Sequence, residues 1–332
     1  MRLLTTLLQP LISLIQWCVG LVCLVVGLSI LATIPVLQFV SLGYLLDCSA
    51  RVARRGQFFG LLPGVRTAAR IGIGLLASWL LVQPLRLVIE LGYSARLIRE
   101  DGQLPPGWKF LITVVRLLTF VHLTWAWVRG ARIRDFAWPA PKRLIRYIGT
   151  GIGYQEIGDR LWNFLVDLRL HFYFWLGLRG FVVALSWLFL PISIMVVGTR
   201  LSEAAALPVE LISGLALAAI LLYLPFLQIN FAIDNSLRSG FDLRRVRQQF
   251  DRAPIALWIG LLATLALALP LYVLKAELVP REALWLPSIV FIVSILPARL
   301  LVGWALGRSR RQEKKGTCCF VGARDWRRYR SC

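Results

Sequence analysis

The sequence predicts an all-α fold: a polytopic integral membrane helix bundle of about seven transmembrane helices with an internal parallel three-helix repeat. Three observations lead there. The first is composition, 58% hydrophobic and 17% charged over 332 residues with a mean hydropathy of +0.69, too apolar for a soluble domain. The second is a series of unbroken apolar runs near the roughly 20 residues that cross a bilayer as helix. Those runs are continuous rather than alternating, which excludes the strands of a membrane barrel. The third is a repeat. Ile73-Gly74-Leu75-Leu76-Ala77-Ser78 followed by Pro84-Leu85 returns as Ile259-Gly260-Leu261-Leu262-Ala263-Thr264 followed by Pro270-Leu271. Upstream, Pro35-Val36-Leu37-Gln38 matches Pro225-Phe226-Leu227-Gln228, and Asp47 with Arg51 matches Asp234 with Arg238.

The net charge of +21 is arranged by topology. Of the 38 Lys and Arg, 28 lie in segments 47–70, 129–179, 230–254 and 307–332, and the alternate connections hold few. That alternation is the positive-inside pattern, which places the rich segments in the cytoplasm against anionic headgroups. Topology accounts for the charge, so no nucleic acid is expected as a partner. The chain is expected in the cell (inner) membrane, N-terminus outside and C-terminus cytoplasmic. The six cysteines form no Cys-x-x-Cys pair, so neither a metal site nor a disulfide framework is expected, and no cofactor.

Taken in order, residues 11–46 read as one long helix kinked at Pro35, preferred over a hairpin of two spans because no polar turn interrupts them. Gly56, Gly60, Pro63 and Gly64 break the basic loop 47–70. The second span, 71–91, carries Arg86 and Glu90 one turn apart. The Gly102-to-Gly107 turn leads into the third span, 110–128, with Arg116 and His122. Segment 129–171 is the longest connection; its apolar residues over 155–170 recur at helical spacing and predict an amphipathic helix in the headgroup plane. The aromatic run His171 to Trp175 begins the fourth span, 176–198. Spans at 206–229, 255–274 and 284–306 complete the bundle, with Arg299 in the inner half of the last, and 307–332 reads as a disordered basic tail. Spans one and two match spans five and six, which gives three-helix units at 1–128 and 201–306. A bridging segment, 129–200, lies between them, and the tail, 307–332, follows.

The run Ile34 to Leu46, with Phe39, Gly43 and Tyr44, followed by Arg51-Val52-Ala53-Arg54-Arg55-Gly56, resembles the opening of an uncharacterised bacterial multi-pass membrane protein family. That family opens Ile-Pro-x-x-Asn-Phe…Gly-Tyr; here Gln38 stands for the Asn. The stretch Trp162…Tyr173 to Phe181 is similar to such proteins as well. The resemblance implies a membrane protein and no catalytic residue.

Arg86, Glu90 and Arg116 are expected together in the outer third of the membrane, as a structural ion cluster or a site for an anionic group. Pro84 and Pro270 free the carbonyls of Leu80 and Ala266, which Ser78, Thr264, Gln38 and Gln228 are placed to satisfy; helix-to-helix bonding is the simplest role for these four. Asp47 with Arg51 and Asp234 with Arg238 read as helix-end salt bridges, and His122 as an interhelical contact rather than a proton relay. The Gly149–Gly153 run lacks the spacing of a phosphate loop, and no catalytic constellation occurs, so an enzyme is not expected. The reading is a structural or assembly component of the membrane, alone as a homo-oligomer or with a membrane protein partner. The alternative is a small transporter or channel whose site on the repeat axis is lined by Gln38, Gln228, Arg86 and Glu90.

Overall fold

Proline and glycine decide where the helices of this chain stop. In the computed structural model, which describes residues 2–56, 62–97, 103–142, 158–159, 162–164, 166–200, 202–276 and 286–329, α1 runs Arg2–Thr33 and gives way to a bend at Ile34, where the following Pro35 disfavours helical backbone. After the turn at 34–37, α2 (Gln38–Arg55) begins, and Gly56 ends it in the left-handed conformation at φ 75. The single helix expected over 11–46 therefore does not form. Ser41 Oγ donates to the Leu28 carbonyl at 2.8 Å, whereas 13 residues of continuous helix would hold them about 20 Å apart. Proline here is a sharp bend, not a kink.

Among the described residues every regular element is helical and none is a strand. After α2 come α3 (Val65–Leu97), α4 (Pro106–Val128), α5 (Ile133–Ala137), α6 (Leu170–Gly198), α7 (Glu203–Asp234), a 3₁₀ turn (Leu237–Phe241), α8 (Leu243–Arg252), α9 (Pro254–Ala276) and α10 (Leu286–Tyr329). Within that set, α1, α3, α4, α6, α7 and α10 are long and apolar enough to cross a membrane. The pair α8 and α9, bent by 115° at Ala253, brings the total up to seven. The protein is an integral membrane helix bundle.

Contacts divide the chain into two compact units, one of residues 1–24 and 64–168 and one of residues 25–63 and 169–332. This division by contact falls at other residues than the three-helix units expected from the sequence. In the first unit α3 and α4 form an antiparallel hairpin, with α5 folded onto both. Only Val65, Ala69, Gly74 and Gly92 of the 33 residues of α3 are buried, and Leu75, Leu76, Trp79 and Leu80 stand exposed. Apolar side chains on the outside of an apolar helix face lipid, the reverse of a soluble core.

The second unit is organised around α2. Twelve of its 18 residues are buried, on every side, although they include Ser41, Asp47 and Ser49. Small residues let its neighbours approach. A Cβ on Gly43 would overlap the Tyr173 carbonyl, one on Gly177 the Phe39 carbonyl, and one on Gly303 the Ser49 carbonyl. One turn after Gly303, Gly307 meets Ala53 in the same way, so a Gly-x-x-x-Gly face of α10 lies on a Ser-x-x-x-Ala face of α2. Phe226, Leu227 and Ile229 of α7 pack with Leu257 of α9 and Leu306 of α10 in the neighbouring core.

The tail, expected to be disordered, instead continues α10 as helix to Tyr329. No proline follows Pro297, and the first turns beyond the apolar stretch are tied down by Arg310 to Asp234 at 3.5 Å and by Glu313 to Arg252 at 3.0 Å. Much of the expected amphipathic helix over 155–170 (residues 155–157, 160, 161 and 165) and the Gly149–Gly153 run lie outside the described residues.

Candidate functional site: polar groups in the spanning helices

The α3–α4 hairpin fixes the level of its charges through two glycines. A Cβ on Gly74 would sit 3.1 Å from the Trp127 ring, and one on Gly92 would sit 3.0 Å from Ile112. That antiparallel register sets Arg116 level with Leu85 and Arg86, and Glu90 within about a turn of both. All three side chains are exposed, and among the described residues no ion pair joins them. The three residues lie near one level, but among the described residues they form no ion cluster within the chain. Their depth follows from helix rise. Arg70 and Arg86 are 16 residues apart, about 24 Å, and Arg116 and Arg129 are 13 apart, about 20 Å. Both separations fall short of the roughly 30 Å of hydrocarbon, so an Arg of each helix enters the membrane or snorkels from it.

Beside these charges the hairpin is held by neutral bonds. Trp127 Nε1 donates to Ser78 Oγ at 3.0 Å, and Ser78 Oγ donates to the Gly74 carbonyl at 2.7 Å. Thr264 in α9 repeats the second bond, donating to the Gly260 carbonyl at 2.9 Å. The carbonyls these hydroxyls serve are thus their own, one turn back, and not those freed by Pro84 and Pro270. His122 Nε2 donates to the Phe136 carbonyl at 2.8 Å, the polar contact expected of it, here to α5. Donation from Nε2 assigns the tautomer.

In the second unit the two Asp landmarks behave differently. Asp47 is buried in α2 and accepts from Arg51 Nε at 2.6 Å, with Arg54 Nη2 at 3.8 Å, so this i,i+4 bridge forms as expected. Asp234 does not pair with Arg238. Asn235 turns left-handed at φ 50 and ends α7, so Arg238 falls in the 3₁₀ turn and Asp234 takes Arg245 of α8 and Arg310 of α10 instead. Next to Asp47, Tyr44 donates to the Pro63 carbonyl at 2.9 Å, and burial pushes the Cys48 thiol up to about 12.

The two Gln landmarks also part company. Gln38 is exposed in the first turn of α2. Gln228 is buried in α7, where its Oε1 accepts from Arg299 Nη2 at 2.5 Å. Two residues further, Asn230 and Gln249 exchange two amide hydrogen bonds of 3.0 Å, a closed pair that locks α8 onto α7, and Ser309 Oγ adds a bond to the Gln249 carbonyl at 3.1 Å. Arg299 borders a cavity of about 110 Å³ between α7, α9 and α10, shared with Pro225, Thr264 and Ser294. Sequence reading placed Arg299 near the cytoplasmic interface and missed its inward bond. The available signal was its spacing of four from Gly303, the start of the small-residue face that α2 covers.

The chain matches no known protein family, no curated protein and no solved structure.

Proposed function

We propose that this integral membrane protein is an assembly component of the membrane that self-associates through the outer wall of its α3–α4 hairpin. The observation that carries the reading is the level shared by Arg86, Glu90 and Arg116, exposed and unpaired by one another on helices otherwise suited to lipid. A charge facing hydrocarbon costs about 2.5–3.5 kcal/mol on insertion scales, so a span keeps one where a partner meets it. Copies of one chain insert in one orientation, and a twofold axis along the membrane normal brings equal depths together. Glu90 of one copy then meets Arg86 or Arg116 of the next, which makes the wall self-complementary. The basic segments, including Arg244, Arg245 and Arg247 on α8, support a cytoplasmic face lying on anionic headgroups.

Native size in lipid nanodiscs tests this. Wild type is expected to associate, Glu90→Lys to dissociate, and Glu90→Lys combined with Arg116→Glu to recover. A wild type that stays monomeric at every lipid dilution sinks the reading, as does a Glu90→Lys variant that associates unchanged. The transporter or channel reading asks Gln38 and Gln228 to share one hydrated space. With Gln38 exposed and Gln228 buried against Arg299, the pair offers it no common site.

A further inference from the structure

Arg299 is the one charged residue between Leu286 and Gly307, in a helix that crosses the membrane. A guanidinium keeps its proton and offers five N–H groups. Here one nitrogen, Nη2, reaches a neutral amide, Gln228, while Nη1 has no accessible surface and no hydrogen-bond partner. Among the described residues no carboxylate lies within 4 Å of it. The residue as a whole is only partly buried, and it is one of those lining the cavity. A cation held in a spanning bundle by an amide alone lacks its counter-charge.

The cavity is built for something small and mostly apolar. Pro225, Leu267, Ile295 and Val302 line it with hydrocarbon, and Thr264 and Ser294 bring hydroxyls. Its volume of about 110 Å³ has room for a group of carboxylate or phosphate size. Gln228, itself buried, holds the guanidinium by one edge, and Nη1, enclosed and without a partner, would turn toward the cavity to meet a second one.

We propose that this cavity binds an oxyanionic head group, carboxylate or phosphate, on an apolar stem, with Arg299 recognising the charge and Gln228 orienting Arg299. The bland alternative is that Arg299 serves only to bond α10 to α7 through Gln228. This site lies wholly within the second unit and is independent of self-association through α3 and α4, which is read by particle size rather than by ligand.

The two sources of such a group, an anionic lipid and an amphipathic acid from solution, are separated by probe. Full-length protein in phosphatidylcholine nanodiscs is melted with and without phosphatidylglycerol in the bilayer, and separately with hexanoate titrated in. At least one probe is expected to raise the unfolding midpoint of wild type. Arg299→Gln is expected to weaken that response roughly tenfold or more in probe concentration, the worth of a charged hydrogen bond, and Arg299→Lys to fall between. Ala268 also lines the cavity, and Ala268→Leu, which narrows it while leaving the Arg299–Gln228 bond in place, is expected to lose the response too; it decides the matter should Arg299→Gln fail to fold. A response to phosphatidylglycerol alone assigns a lipid, and one to hexanoate alone assigns a soluble acid. Equal responses in wild type, Arg299→Gln and Ala268→Leu, or no response in wild type to either probe, overturn the proposal.

Discussion

The α3–α4 and α9–α10 hairpins carry the two copies of the Ile-Gly-Leu-Leu-Ala stretch, and they solve the same local problem alike while treating their surroundings oppositely. In each, the glycine faces the next helix closely, Gly74 at Trp127 and Ala131, Gly260 at Val302 and Ala305. In each, the hydroxyl four residues on donates to that glycine's carbonyl, and a proline ten residues on stays inside the helix. Yet only 11% of the apolar window of α4 is buried, against 44% for its counterpart α10. The charges follow: Arg86 and Arg116 are exposed on the first hairpin, and Arg299 of the second turns inward to bond Gln228 of α7. Repeated sequence dictates how two helices meet. What covers them decides whether an intramembrane charge becomes a contact for another chain or part of an internal site.

The largest expected break in this comparison is at Gly303. A Cβ there overlaps the backbone carbonyl of Ser49, which only a shift of α2 or α10 can relieve, so Gly303→Ala should destabilise the fold by about 3 kcal/mol. Gly74→Ala meets only side chains, Trp127 at 3.1 Å and Ala131 at 3.2 Å, and should cost about 1 kcal/mol or less. Unfolding titrations in mixed micelles compare the two; equal losses would mean that the hairpins are equally embedded. The Asp landmarks come next. Asp47, 5% exposed at its side chain and bonded to Arg51, should lose about 1–3 kcal/mol on replacement by Asn. Asp234, 31% exposed, should lose about 1 kcal/mol or less on the same change. The same titrations check this pair, and a reversed order would contradict the central place given to α2.

Spans and levels were legible because they depend on local pattern. Apolar runs marked the candidate spans, and the register of the α3–α4 hairpin puts Arg86, Glu90 and Arg116 near one level. Burial was not legible, because it depends on which helices gather around which. The run 11–46 looked like one helix since nothing polar interrupts it; Pro35 instead sends α2 into the protein interior, where Gly43, Ser49 and Ala53 fit it against α6 and α10. A polar helix in a membrane chain marks the interior, and Asp47, Ser41 and Ser49 on one 18-residue segment were that signal. Asp234 was mispaired for a related reason. Spacing alone assumes that the helix continues, and Asn235 stops it. Arg299 was seen in the right helix and assigned the wrong neighbour, since nothing in its own neighbourhood names Gln228, 71 residues away.

The finest test of the comparison lies in the repeated hydroxyls. Ser78 does two things: it donates to the Gly74 carbonyl and accepts from Trp127 Nε1. Thr264 donates within its own helix, to the Gly260 carbonyl, which that carbonyl's i+4 amide also serves. Ser78→Ala should therefore cost about 1 kcal/mol, the net worth of one interhelical bond, and free the indole of Trp127. Thr264→Val, which keeps the branched shape, should change stability by a few tenths of a kcal/mol at most. Trp127→Phe should cost about as much as Ser78→Ala, and the double variant little more than either, because all three remove one bond. Should the two losses simply add, the Trp127–Ser78 bond does not join α3 to α4, and the first hairpin rests on its glycine contacts alone.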